Sequence, residues 1–152
     1  MLSFSSFMRE AVIYKKPDTQ RLADEEHGET ITQSAAIKSG NMEVTHPKIA
    51  NAIHRFAQNK NAFRQAMARS SVQRIKAGTN VNNSEIGQGI KSVESRTKIQ
   101  RVKNQLGSNS GIDRPIVLRH TDENGETHHH LLAGNTRATA VGFGVQAHHI
   151  DV

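Results

Sequence analysis

The chain has 152 residues, room for one domain of the usual ~100–150 residues or for one small domain with arms. Only 35% of the residues are hydrophobic and 4% aromatic, against a typical apolar share of roughly 45–50% with Gly counted, so some of the length is expected to lie outside the core. Lys and Arg (20) exceed Asp and Glu (14) to give +6 at pH 7, which favours an anionic partner; the lack of Cys excludes disulfides, zinc–thiolate and iron–sulfur centres and a Cys nucleophile, and no apolar run reaches the ~18 residues of a membrane span.

Leu2, Phe4, Phe7, Met8, Ala11 and Val12 recur at three- and four-residue intervals, which predicts a short amphipathic leader helix over 1–14, ended by Pro17. Residues 15–44 are polar, with acidic side chains at Asp24, Glu25, Glu26 and Glu29 and breakers at Gly28 and Gly40, and read as a flexible linker. A single domain over 45–152 is expected to follow. Thr45 is a good N-cap and Pro47 stands just inside the start, and the stripe Ile49, Ile53, Phe56, Phe63 and Met67 carries a helix over 46–69 that 70–77 can extend. Gly78 opens a loop over 78–83. Ser84 then caps a second helical region with Ile86, Ile90 and Val93 as its apolar face, and a further helix over 97–106 is stopped by the Gly- and Ser-rich run 107–111.

The last third changes period. Pro115-Ile116-Val117-Leu118-Arg119-His120 reads as a strand, Asp122-Glu123-Asn124-Gly125 as a hairpin turn and 126–132 as the returning strand. Ala133-Gly134-Asn135-Thr136 leads into a short helix, Arg137-Ala138-Thr139-Ala140-Val141, closed near Gly142 or Gly144, before a final strand around 148–152. The expected fold class is α+β: helical over the N-terminal two-thirds, with a small mixed β-sheet and one helix at the C-terminus.

The charge belongs to the middle of the chain. Residues 46–106 carry net +10, and the segments on either side carry −2 each. Ten of these cations, Arg55, Lys60, Arg64, Arg69, Arg74, Lys76, Arg96, Lys98, Arg101 and Lys103, are candidates for a helical surface that binds DNA or RNA; the ordinary alternative is a solvated helix face. Among the histidines, His128 and His130 should face one way and His129 the other, with His148 and His149 on the final strand. None stands at a familiar ligand spacing, so no metal site is assigned, and His130, beside the glycine turn, is the candidate acid or base. A glycine between a strand and a helix start lets backbone amides approach an anion, which outlines a phosphate site at Gly134, Asn135, Thr136 and Arg137. Arg137 would grip phosphate as a fork. The ordinary alternative there is an N-cap followed by a surface arginine.

The ordered set Pro115-Ile116-Val117-Leu118, His130-Leu131-Leu132-Ala133-Gly134-Asn135-Thr136-Arg137-Ala138-Thr139-Ala140, Gly144 and His149-Ile150-Asp151-Val152 resembles the ParB/sulfiredoxin-like domain superfamily over 114–152, about a quarter of the chain. The resemblance implies a small mixed α/β domain whose Gly-x-x-Arg turn, in the region 112–152, binds nucleotide phosphates. Members include CTP-binding partition proteins, sulfiredoxins that use ATP, free-serine kinases, and nuclease-like or DNA-modification-associated proteins. Carried over, Gly134 permits close approach, Asn135 and Thr136 present amides and polar groups, and Arg137 contacts phosphate of a nucleoside triphosphate held with Mg2+. Asn135 stands where sulfiredoxins carry their catalytic Cys and where the hydrolases and kinases often carry Glu or His, so the resemblance favours binding over hydrolysis or phosphotransfer. The opening Met1-Leu2-Ser3-Phe4-Ser5-Ser6-Phe7-Met8-Arg9-Glu10-Ala11 is similar to the leader of many contractile-tail phage proteins, internal head proteins among them. That likeness implies a phage protein of the host cytoplasm or of the virion, with head proteins as partners and Glu10-Ala11 as a processing point; a helix packed on its own domain or on another subunit is the equal alternative. Two functions are therefore expected in order: a nucleotide-binding protein, then a non-enzymatic DNA- or RNA-binding module or virion-packaged internal protein. No membrane partner is expected, and a homo-oligomer is left open.

Overall fold

The computed structural model describes residues 12–84, 86, 93–105 and 111–152. Most of the expected leader helix lies outside these residues, and where 12–14 are described they are extended, with Tyr14 in a parallel bridge to Ile112.

Asp18 starts the first helix, α1 (Thr19–Lys38), by accepting the Arg21 amide on Oδ1 at 3.1 Å. The expected flexible linker is therefore, over most of its length, a 20-residue helix. It is fastened by small and polar side chains with partners rather than by an apolar stripe. Leu22 and Ala23 enter the core, Ser34 Oγ hydrogen-bonds His54 Nδ1 at 2.6 Å, and His27 Nε2 donates to the Phe56 carbonyl at 2.9 Å. Charge adds to this: Arg64 grips both oxygens of Asp24 at 2.6 and 3.0 Å, and Arg21 reaches Asp113 at 2.7 Å. Asp18→Ala is expected to lower stability by about 1 kcal/mol, the usual worth of an N-cap, as urea unfolding at neutral pH would measure; an unchanged midpoint would mean that the cap contributes nothing.

The stripe expected over 46–69 forms two helices, α2 (Pro47–Gln58) and α3 (Lys60–Ala68). His46, not Thr45, is the N-cap, its Nδ1 accepting the Lys48 amide at 3.1 Å. The break falls at Asn59, whose extended backbone (φ −137°, ψ 98°) frees its Oδ1 to accept the Ala62 amide at 3.1 Å and so cap α3. The helix does not continue over 70–77. That segment gives the strand β1 (Ser71–Arg74), followed by β2 (Val81–Asn82) and the helix α4 (Val93–Gln105). Ser84 does accept the Ile86 amide at 3.1 Å, but most of the helical region expected after it lies outside the described residues. The remaining order is β3 (Ile116–Thr121), β4 (Thr127–Ala133), α5 (Asn135–Val141) and β5 (Gln146–Asp151).

The class is α+β, with five helices and one mixed five-stranded sheet among the described residues, in the order β1-β5-β3-β4-β2. β3 pairs antiparallel with β4 and parallel with β5; the edge strands add β1 antiparallel to β5 and β2 parallel to β4. Strand alternation gives the sheet two apolar faces. One, with Ile116, Leu118, Leu132 and Ile150, packs under α1, α2 and α3 through Leu22, Ile49, Ile53, Phe56, Phe63 and Met67. The other, with Val117, Leu131, Val145 and Ala147, packs under Ala138 and Val141 of α5 and against Ile75, Val81, Val12 and Ile112. α4 lies outside α5. No helix among the described residues is long and apolar enough to cross a membrane.

Candidate functional site

The turn after β4 lines a cleft of about 260 Å3 together with α1 and Asn83. The strand is held firmly where it enters the turn. Gln33 of α1 donates its amide to the Leu132 carbonyl at 2.8 Å and accepts His130 Nε2 on its Oε1 at 2.8 Å, and Asn83 donates to the Leu131 carbonyl at 3.1 Å. Gly134 then turns the chain at φ 87°, ψ 28°, and its carbonyl accepts the Ala138 amide at 2.8 Å to close the first turn of α5. No side chain caps that turn.

A Cβ on Gly134 would stand 2.8 Å from the Pro115 Cα and 2.8 Å from Arg137 Nη2. The glycine thus makes room first for the chain's own arginine and not, as the sequence suggested, for a ligand alone. Arg137 folds back across Gly134 and places Nη2 3.5 Å from Glu26 Oε1, an ion pair without a hydrogen bond. Its Nε and Nη2 are buried with no hydrogen-bond partner. Buried charged N–H groups left unpaired are costly, so a guanidinium in this state gives up no protein hydrogen bond when it turns to an anion. Gly134→Ala is expected to lose about 2 kcal/mol of stability, from the left-handed backbone and the contact with Pro115; a thermal midpoint equal to wild type would contradict the crowding.

α1 brings two carboxylates, Glu26 and Glu29, to the same cleft. Against Arg137 alone they leave it net negative, which suits a phosphate carried with a divalent cation better than a bare phosphate, because carboxylates and phosphate oxygens are the ligands such hard cations take. The residues present fit that group: a buried arginine fork whose Nε and Nη2 make no hydrogen bond for the phosphate, and two carboxylates for the cation. Sequence reasoning missed Glu26, Glu29 and Gln33 because they sat in the expected linker. Their spacing of three and then four residues was the available signal.

His130 is not an acid or base of this cleft. It is 0% exposed on the sheet face beneath α1, behind Gln33 at 2.8 Å, and burial pushes its imidazole down to about 4, so it is neutral at pH 7. The ten candidate cations do not share one surface. Arg64 and Lys60 are paired with Asp24, Arg55 lies over the Phe56 ring at 5.1 Å, and these three and Arg69 belong to α2 and α3 or their ends. Arg96, Lys98, Arg101 and Lys103 lie on α4, outside α5 on the other side of the sheet. Arg74 and Lys76 stand apart from both groups, at the end of β1. At the hairpin tip, Asp122, Glu126 and His128 bring ligand atoms within 4.8 Å of one another, but Asp122 is already used: Oδ1 accepts the Asn124 and Glu126 amides and Oδ2 meets His128 Nε2 at 2.9 Å. The cluster is a turn staple. No family model, curated protein or solved structure matches the chain.

Proposed function

We propose that the chain is a phosphate- and nucleotide-binding protein of ParB/sulfiredoxin-like type, holding a nucleoside triphosphate with Mg2+ at the turn 134–137. The observation that supports this most is Arg137, a guanidinium with two buried, unpartnered nitrogens beside a glycine turn and two carboxylates. Arg137 swings off Gly134 and binds the phosphate as a fork. The first turn of α5 has no side-chain cap, and its Thr136 and Arg137 amides would donate to the same oxygens. Glu26 and Glu29 hold the cation, which when bound neutralises phosphate charge. Gln33 and Asn83, fixed on the carbonyls of β4, keep the turn in place and do not touch the ligand. The cleft offers Asn135 where catalytic members carry a titrating or nucleophilic group, and an amide neither takes nor gives a proton, so the reading is one of binding.

Calorimetric titration with each common ribonucleoside triphosphate, with Mg2+ and again with a chelator, tests it. Saturable heat from at least one nucleotide that is lost with the chelator is expected. No heat from any of them at millimolar ligand would remove the proposal.

A further inference from the structure

At the end of β4 remote from the turn, no helix among the described residues covers the sheet face that carries α5. There the register sets Arg119 beside His129 and Asp151, and Thr121 opposite Thr127. With His149 these residues floor a cleft of about 580 Å3, within the ~300–1,000 Å3 of ligand sites. Arg74 and Lys76, at the end of β1 and just beyond it, form one wall.

The charges on that wall and floor differ in what they are free to do. Arg119 is committed to Asp151 at 2.6 Å and to Gln73 at 3.0 Å. Arg74 spends one nitrogen on the Gly144 carbonyl at 3.0 Å, and Lys76 is exposed. Neither Arg74 nor Lys76 has a carboxylate partner among the described residues, so the surplus positive charge of the cleft is theirs. The floor holds two imidazoles in edge-to-face contact, His129 and His149, with centroids 6.4 Å apart and planes at 88°. His149 is 5% exposed, and its Nδ1 donates to the Ala147 carbonyl at 3.0 Å; His129 is half-buried. Burial holds both below the usual histidine range, which leaves flat, uncharged rings at neutral pH.

A flat ring on the floor and two cations without carboxylate partners on one wall match a ligand with a π-face and more than one phosphate. We propose that this cleft binds a single-stranded nucleic acid, with one base stacked on His129 of the floor and phosphates of the same strand on Arg74 and Lys76 of the wall. Stacking on a ring at the floor of a cleft needs an unpaired base, which a duplex does not offer. The site is separate from 134–137 and stands or falls without it.

Fluorescence anisotropy of a labelled oligothymidylate with the full chain at low salt tests the assignment. Wild type should bind saturably and lose affinity as salt rises, each neutralised phosphate adding about −0.7 to the log–log slope. Arg74→Ala with Lys76→Glu should weaken binding more than roughly tenfold and flatten that slope. His129→Ala should weaken it about tenfold, the order of one lost base stack, with little change in slope. Both variants should melt as wild type does and keep any triphosphate binding at 134–137, and Arg137→Ala should leave the strand affinity unchanged. The proposal is overturned if wild type gives no anisotropy change, if a duplex or a mononucleotide competes as well as the strand, or if these variants bind normally while charge reversal on α4 abolishes binding.

Discussion

Arg137→Ala is expected to weaken binding of a magnesium–nucleoside triphosphate by more than about 3 kcal/mol, upward of roughly a hundredfold, because a forked pair of charged hydrogen bonds is removed at once. The fold should tolerate the change. Nε and Nη2 of Arg137 make no protein hydrogen bond and the contact with Glu26 is 3.5 Å, so truncation removes a buried charge that makes no hydrogen bond through these atoms rather than a brace. Arg137→Lys should fall between wild type and alanine, since an ammonium keeps the charge but loses the fork. Isothermal calorimetry with thermal melts as a control separates binding from stability. A variant that melts normally and binds as tightly as wild type would take Arg137 out of the site.

The second large effect is on stability in acid. Above the ordinary histidine value of about 6.5, His130 is neutral in both folded and unfolded chains and stability does not depend on its titration. Below it the unfolded chain takes up a proton that the folded chain refuses until its own value of about 4. Stability is therefore full above the unfolded value and falls across the interval, by about 3 kcal/mol in all. His46, His129, His148 and His149 are shifted the same way, chiefly by burial, and steepen the slope. The lowered carboxylates Asp24, Asp113, Asp122 and Asp151 act in the same direction but begin only near and below their usual range. His130→Gln keeps a donor for Gln33 Oε1 and has nothing to titrate. Its urea-derived stability should therefore fall less than wild type's between pH 7 and 4; parallel curves would show that His130 does not govern the acid limb.

The C-terminal third was legible because its signals are local. Period-two alternation around Asn124-Gly125 gives the hairpin, and a glycine between strand and helix gives the turn, so β3, β4, α5 and β5 fall where the residues placed them to within a few positions. α1 was not legible. Its buried face, Leu22, Ala23, Thr30, Gln33 and Ser34, is small and polar, and what makes such a face worth burying is the set of partners supplied by β4, α2 and α3, which a reading of apolar period does not see. β1 was hidden for a related reason: Val72 and Ile75 suit a helix extension as well as a strand, and pairing with β5 decides between them. The site divides in the same way. Gly134 and Arg137 announce themselves by turn chemistry, whereas Glu26, Glu29, Gln33 and Asn83 reach the cleft only through long-range packing, and the burial of His130 follows from α1 covering a strand that looked half exposed.

The most direct measurement is an amide chemical-shift titration of the isotopically labelled chain with a magnesium–nucleoside triphosphate. The amides of Asn135, Thr136 and Arg137, with Glu26 and Glu29, should move together and saturate at one affinity, while those around His129 and Lys76 stay in place. Shifts that bypass 134–137, or none at millimolar nucleotide, would contradict the assignment of this turn as a phosphate site.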